Sequence, residues 1–225
     1  MVPLHLYPAH RSAASEAGNK RKRTTCYRSE LRTELYVCTV NESDHDIDID
    51  ALAQRLSAYR RKRISSCRVA HDRLLSAAAG YLLALALSRH GFVESALHYA
   101  VGEHGKPYFT DCPLHFNVSH SGKFAVCALS DERVGVDVQE FVPCRMHLAH
   151  RMFSREKFNE LAMSREPDDL FTLFWAEAEA RGKYDGRGLA GMKSTEGHLW
   201  SAVSDRHAFA LCGPEFDGEL IHVPL

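Results

Sequence analysis

The ionisable residues with the best claim to chemistry lie in two short segments. In Val134-Gly-Val-Asp-Val-Gln139, the two-residue period of a strand turns Val134, Val136 and Val138 to one face and Gly135, Asp137 and Gln139 to the other. A carboxylate among valines is disfavoured in a strand, so something must compensate for it. The pattern alone favours an edge strand whose second face is wet; the alternative is a carboxylate held there for binding. In Phe171-Thr-Leu-Phe-Trp-Ala-Glu-Ala-Glu-Ala-Arg-Gly-Lys183, the positions of Phe171, Phe174, Trp175 and Ala178 follow helical spacing and define a core stripe. Glu179 lies on the flank of that stripe with Lys183 one turn beyond it, while Glu177 and Arg181 occupy the other flank, towards solvent. A Glu–Lys pair at this spacing is commonly a surface ion pair worth about 0.2–0.5 kcal/mol. The other reading has an acid and a base pointing together into a cleft.

Other suggestive patterns fail on context. Gly186-Arg-Gly188-Leu-Ala-Gly191 spells a dinucleotide-binding glycine pattern but follows a helix rather than a strand, and reads as a helix stop and turn. Ser119-His-Ser-Gly122 lacks the flanking glycines of a nucleophile elbow. Asp44, Asp46, Asp48 and Asp50 alternate like a calcium loop, yet Ile49 and Arg55 stand where the loop needs Gly and Glu. That stretch reads as a solvated loop in which Asp48 or Asp50 caps the next helix. The 14 histidines contain no metal-binding H-E-x-x-H pattern. The 7 cysteines are scattered and contain no C-x-x-C pair, as expected of reduced cysteines acting as small hydrophobes in a cytoplasmic protein.

The elements that must position these residues can be read from periodicity. Residues 1–30 are polar, basic and aperiodic and are expected to form a mobile extension; Lys20-Arg-Lys-Arg23 gives only weak support for nuclear localisation. Leu35–Val40 reads as a strand. Helices are expected near Ala51–Arg63 and over Ala70–Arg89, the second apolar on most sides and stopped at His90-Gly91. Lys123–Ser130 and Val134–Gln139 are expected to pair as a hairpin around Asp131–Arg133. Helices follow over Ser154–Met163 and Asp168–Tyr184, and strands and turns occupy the last forty residues.

The chain is 225 residues long, 45% hydrophobic and 25% charged, enough for one large domain or two small lobes around a real core. Its net charge of −1 argues against a protein that coats nucleic acid. The longest apolar run, Ala77–Leu87, is far short of the roughly 20 residues that cross a bilayer, and Met1–Ala9 has no secretory pattern. The charge is uneven, with 14 basic and 9 acidic side chains in residues 1–73 and an acidic surplus thereafter. Either this is a fluctuation with a basic tail, or a positive first lobe faces a site containing acids in the second.

Four motifs occur in order: Gly105-Lys-Pro-Tyr-Phe109, Phe116-Asn-Val-Ser-His-Ser-Gly122, Val134–Gln139 and Trp175-Ala-Glu-Ala-Glu-Ala-Arg-Gly-Lys183. Together, and with Asp72-Arg73 upstream, they resemble the 4′-phosphopantetheinyl transferases, specifically the large single-chain class of the surfactin-synthetase-activator type, over roughly residues 35 to 210. The resemblance implies an α+β fold of two similar α/β lobes related by a pseudo-twofold, residues 31–131 and 132–225, with the active site in the cleft between them. It implies transfer of the phosphopantetheine of coenzyme A to a serine of an apo acyl or peptidyl carrier protein, with release of 3′,5′-ADP and a requirement for Mg²⁺. Asp137, Gln139 and Glu179 would then form the metal site. Glu179 and Lys183 would be catalytic, the first accepting the serine proton and the second contacting the pyrophosphate. Lys106, Pro107, Ser119 and His120 would lie along the nucleotide, and Arg61 and Arg73 would serve its 3′-phosphate. The single chain would be a cytoplasmic monomer that binds neither nucleic acid nor membrane.

Two positions depart from the family pattern. Gln139 stands where many relatives carry an acid, and Ala178 where many carry a lysine, with Arg181 a doubtful substitute. A metal site with fewer protein charges is expected. The rival readings are a non-catalytic coenzyme A or carrier-binding homologue, and a Mg²⁺-dependent phosphohydrolase.

Overall fold

The computed structural model describes residues 33–41 and 47–225. The basic extension, Lys20–Arg23, Asp44 and Asp46 lie outside them. Strand β1 (Glu34–Thr39) is followed by helices α1 (Ile49–Gln54), α2 (Ala58–Ser66) and α3 (Ala70–Arg89). A small hairpin follows, formed by β2 (Tyr99–Val101) and β3 (Pro107–Phe109). Then come β4 (His115–Ser121), β5 (Phe124–Ser130) and β6 (Gly135–Glu140). Helices α4 (Met146–Met152), α5 (Arg155–Met163) and α6 (Pro167–Asp185) precede β7 (His198–Ser204), β8 (His207–Gly213) and β9 (Leu220–His222). No helix among the described residues is long and apolar enough to cross a membrane.

Local chemistry sets several boundaries. Asp48 caps α1 by accepting from the Ala51 N–H at 2.9 Å, and Ser154 caps α5. Pro167 opens α6, and Gly186 closes it in the left-handed conformation at φ 83. The single helix expected over 51–63 is two. Ser57 interrupts it, because its Oγ caps α2 through the Arg60 N–H while Glu94 holds both the Ser57 N–H and hydroxyl at 2.7 Å.

The strands form two main sheets, ordered β4-β5-β1-β9 and β6-β8-β7. Adjacent strands are antiparallel except β1 and β9, which run parallel. The expected pairing of β5 with β6 does not occur. β5 instead pairs with β4 and β1, the β4–β5 turn being made at Gly122, whose φ of 55 suits glycine. The chain then crosses to the second sheet, where β6 pairs with β8.

Alternation along the strands builds the layers. Tyr36, Cys38, Ala125, Cys127 and Leu129 pack with Leu75, Leu82 and Leu83 of α3. Leu35, Val37, Val126 and Ala128 point the other way and meet Val134, Val136, Val138, Phe209 and Leu211 of the second sheet. Behind that sheet, Ala208, Ala210 and Cys212 receive Leu173, Ala176 and Ala180 of α6. The order is helix, sheet, sheet, helix. β5 and β8 are buried on both faces, which is why Phe124–Ser130 and His207–Gly213 read as nearly continuous apolar runs.

The same succession occurs twice: a strand, two short helices, a long helix, then a hairpin. It gives β1–α1–α2–α3–β4–β5, with the β2–β3 hairpin inserted before β4, and then β6–α4–α5–α6–β7–β8, and in each case the first strand joins the second strand of the closing hairpin.

Candidate active site

β6 is an outer strand of the second sheet and lies beside β4, an outer strand of the first. Alternate side chains of β4 reach across to it. Asn117 Oδ1 accepts from the Val136 N–H at 2.9 Å, Ser119 Oγ donates to Asp137 Oδ1 at 2.7 Å, and Ser121 Oγ accepts from the Glu140 N–H at 3.0 Å. The two-residue period of Asn117, Ser119 and Ser121 therefore holds the strand that carries Asp137. The alternation of Asn117, Ser119 and Ser121 is visible in the sequence itself.

The wet face expected opposite the valines is covered by α6. At Gly135 the helix comes so close that a Cβ would lie 2.8 Å from Tyr184 Cα, and closer still to Tyr184 N and Ala180 O. This close approach delivers α6 side chains to Asp137, which is only 5% exposed. Lys183 Nζ donates to Asp137 Oδ1 at 2.6 Å and to Ser119 Oγ at 3.0 Å, closing a triangle with the Ser119–Asp137 bond. Glu179 stands one turn before Lys183, half-buried. Burial raises its carboxyl above the usual range, the charge of Asp137 raises it further, and Lys183 opposes the shift.

His120 is exposed near the end of β4. Desolvation holds its imidazolium below the ordinary histidine range; Asp72 opposes the shift, while Arg60, Lys183 and Arg63 reinforce it. Arg63 and Asp72 are therefore electrostatic neighbours of His120. Arg61 instead donates to Leu56 O at 2.6 Å, and Arg73 pairs with Asp50 at 3.0 Å. Lys106 is largely buried at the other end of the β6–α6 contact, donating to Val134 O at 2.9 Å and Tyr184 O at 3.4 Å. Burial pushes its ammonium pKa down to about 8. Pro107 opens β3 opposite Val101. The structure thus brings Ser119, Asp137, Glu179 and Lys183 together and places Arg61, Arg73, Lys106 and Pro107 elsewhere.

Two helix positions differ from the wheel. Glu177 is buried rather than solvated, paired with Lys157 and accepting from Ser201 Oγ at 2.7 Å. Arg181 donates to Ser194 O at 3.1 Å, so it leaves the gap at Ala178 unfilled. Gln139 donates to Ser121 Oγ at 3.4 Å and to Glu140 O at 3.2 Å.

Among the described residues, no three His, Cys, Asp or Glu side chains stand together as a self-sufficient metal cluster. Two interacting carboxylates, one of them already holding an ammonium, nevertheless suit a cation whose other ligands come from phosphate and water. That is the usual manner of Mg²⁺.

Comparison with known proteins finds several relatives that cover part of the chain. A 4′-phosphopantetheinyl transferase of Bacillus subtilis is 34% identical over 109 residues, 47% of this chain and 48% of its own length. The transferase Sfp of Bacillus subtilis (strain 168) is 33% identical over 101 residues, 43% and 45% of the two chains. AcpT of Salmonella typhimurium is 35% identical over 125 residues, 50% and 65%. The chain is similar to the 4′-phosphopantetheinyl transferases. It spans about half the length of the first two relatives it matches. No family model matches it.

Proposed function

We propose that the protein transfers 4′-phosphopantetheine from coenzyme A to a serine of an apo acyl or peptidyl carrier protein, releasing 3′,5′-ADP. The observation that carries this reading is the Ser119–Asp137–Lys183 triangle beside Glu179. Phosphoryl transfer needs little covalent help from a protein, but it does need positioned charge around phosphate oxygens. Asp137 and Glu179 would hold Mg²⁺, which, when bound, neutralises charge on the diphosphate. Lys183 donates to the same phosphate oxygens. Ser119 fixes the Asp137 carboxylate from the β4 side. Glu179, directly or through a water, accepts the proton of the carrier serine as its Oγ–P bond forms. The bond from phosphorus to the departing 3′,5′-ADP oxygen breaks in the same displacement.

The repeated succession of elements supports two lobes, residues 31–131 and 132–225, related by a pseudo-twofold, with the substrate cleft where β4 meets β6. A chain that carries both halves of that cleft would act as a monomer, and its substrates place it in the cytoplasm. His120 and Arg63 would face the nucleotide's phosphates. The test is incubation with coenzyme A, Mg²⁺ and an apo carrier protein, followed by mass spectrometry of the carrier. A gain of one phosphopantetheine is expected. Binding without gain, or cleavage of coenzyme A without labelling, overturns the proposal in favour of the carrier-binding or hydrolase reading.

A further inference from the structure

We infer that Lys183 is an internal counter-ion that occupies one carboxylate oxygen of Asp137 until a diphosphate draws it away, so that divalent cation and coenzyme A load together rather than independently. This rests on the proposed reading of the site. Asp137 Oδ1 is the oxygen that both other members of the triangle use: Lys183 at 2.6 Å and Ser119 at 2.7 Å. A divalent ion binding this oxygen must displace the ammonium or share the carboxylate with it, and a positive charge a few ångströms away opposes its entry. The alternative partners for Lys183 in the triangle amount to the Ser119 hydroxyl at 3.0 Å, a neutral group. Glu179, one helical turn earlier, lies on the same side of α6 and interacts with Lys183 only through charge. A diphosphate supplies a further anion that competes with Asp137 for Lys183, together with oxygens for the cation, and so favours both exchanges at once.

The coupling is a binding property and is read without carrier protein or turnover. Free Mn²⁺ is titrated by electron paramagnetic resonance against the full chain, with and without coenzyme A. The wild-type protein is expected to bind Mn²⁺ weakly alone and at least about tenfold more tightly with coenzyme A, a coupling of the size typical between linked sites. Lys183→Met should bind Mn²⁺ at least about tenfold more tightly than wild type in the absence of coenzyme A, and should lose most of the enhancement. Lys183→Arg, which keeps the charge, should behave like wild type. Lys183→Gln serves as a second neutral variant, and thermal melting confirms that each is folded. Equal Mn²⁺ affinity of wild type and both neutral variants without coenzyme A overturns the inference while leaving the transferase reading standing. Absence of Mn²⁺ binding by every protein even with coenzyme A overturns the metal site itself, and the inference with it.

Discussion

Gly135→Ala should damage stability and chemistry together, because one close approach underlies both. The added Cβ would sit 2.8 Å from Tyr184 Cα and closer still to two further backbone atoms of α6. Carbon atoms in contact rest near 3.5–4.0 Å, so strand and helix must separate by about 1 Å. Backbone atoms at Ala180 and Tyr184, one turn apart, both block the methyl, so the helix must yield as a body rather than through one side chain. Overpacking of this kind costs about 1–3 kcal/mol. The cost rises further as the contacts of Ala176 and Ala180 with Ala208 and Ala210 open. A 1 Å separation also breaks the 2.6 Å bond from Lys183 to Asp137, and misplacement on that scale costs a rate of about 100-fold. The assay is urea unfolding alongside the rate of carrier labelling. Gly182→Ala is the control, since its Cβ would meet Gly188 O at 2.8 Å and Met192 Cγ at 3.0 Å, on a side of the helix away from β6. It should lose stability yet keep most of its rate. A Gly135→Ala protein that unfolds and labels carriers like wild type would refute the claim that this contact sets the site.

Asp137→Ala and Glu179→Ala should each abolish transfer and still melt cooperatively; near-normal labelling by either removes the assignment. Arg63→Glu should weaken coenzyme A binding more than Arg61→Glu, because Arg63 acts on His120 while the Arg61 guanidinium is engaged with Leu56 O; equal effects in calorimetry, or none, count against a phosphate role for that face. Lys106 gives a pH signature. The unfolded lysine keeps its proton to near 10.5 while the folded one releases it near 8, so the unfolded state binds more protons between those values and stability rises with pH there. Wild type should therefore gain on Lys106→Met by up to about 3 kcal/mol from pH 8 to 10.5; a flat difference in urea stability contradicts the buried ammonium.

The sequence was most legible where local pattern decides. α3 and α6 announce themselves by period and by their stops, and of the two candidate caps Asp48 and Asp50 it is Asp48 that caps α1. It was misleading where a distant segment decides. β5 and β6 are both apolar and flank a polar turn, yet the hairpin closes at Gly122, the one of the two turns that contains a glycine. The break at Ser57 depends on Glu94, 37 residues away. Glu177 looks solvated on a wheel until Lys157 and Ser201 arrive from α5 and β7. Asp137 and Glu179 could be named from their motifs. Their joining through Ser119 and Lys183 depends on Gly135, whose missing side chain carries no chemical signal of its own.

The two departures from the family pattern make more sense as a pair than singly. An acid at 139 and a lysine at 178 carry opposite charges, so replacing both with Gln139 and Ala178 leaves the net charge of that part of the site unchanged. Losing only the acid would leave excess positive charge, and losing only the lysine would add to the repulsion that already raises Glu179. On the proposed reading, what remains is two carboxylates that would share a cation and one ammonium that would meet phosphate. Gln139 has become part of the seam between β4 and β6 through Ser121 and Glu140 O, and Ala178 is buried. With the second lysine gone and Arg181 turned to Ser194, Lys183 alone bonds Asp137 among the cationic side chains described. On that reading the same ammonium would serve as counter-ion before substrate arrives and as phosphate ligand afterwards, and its displacement would be part of substrate binding.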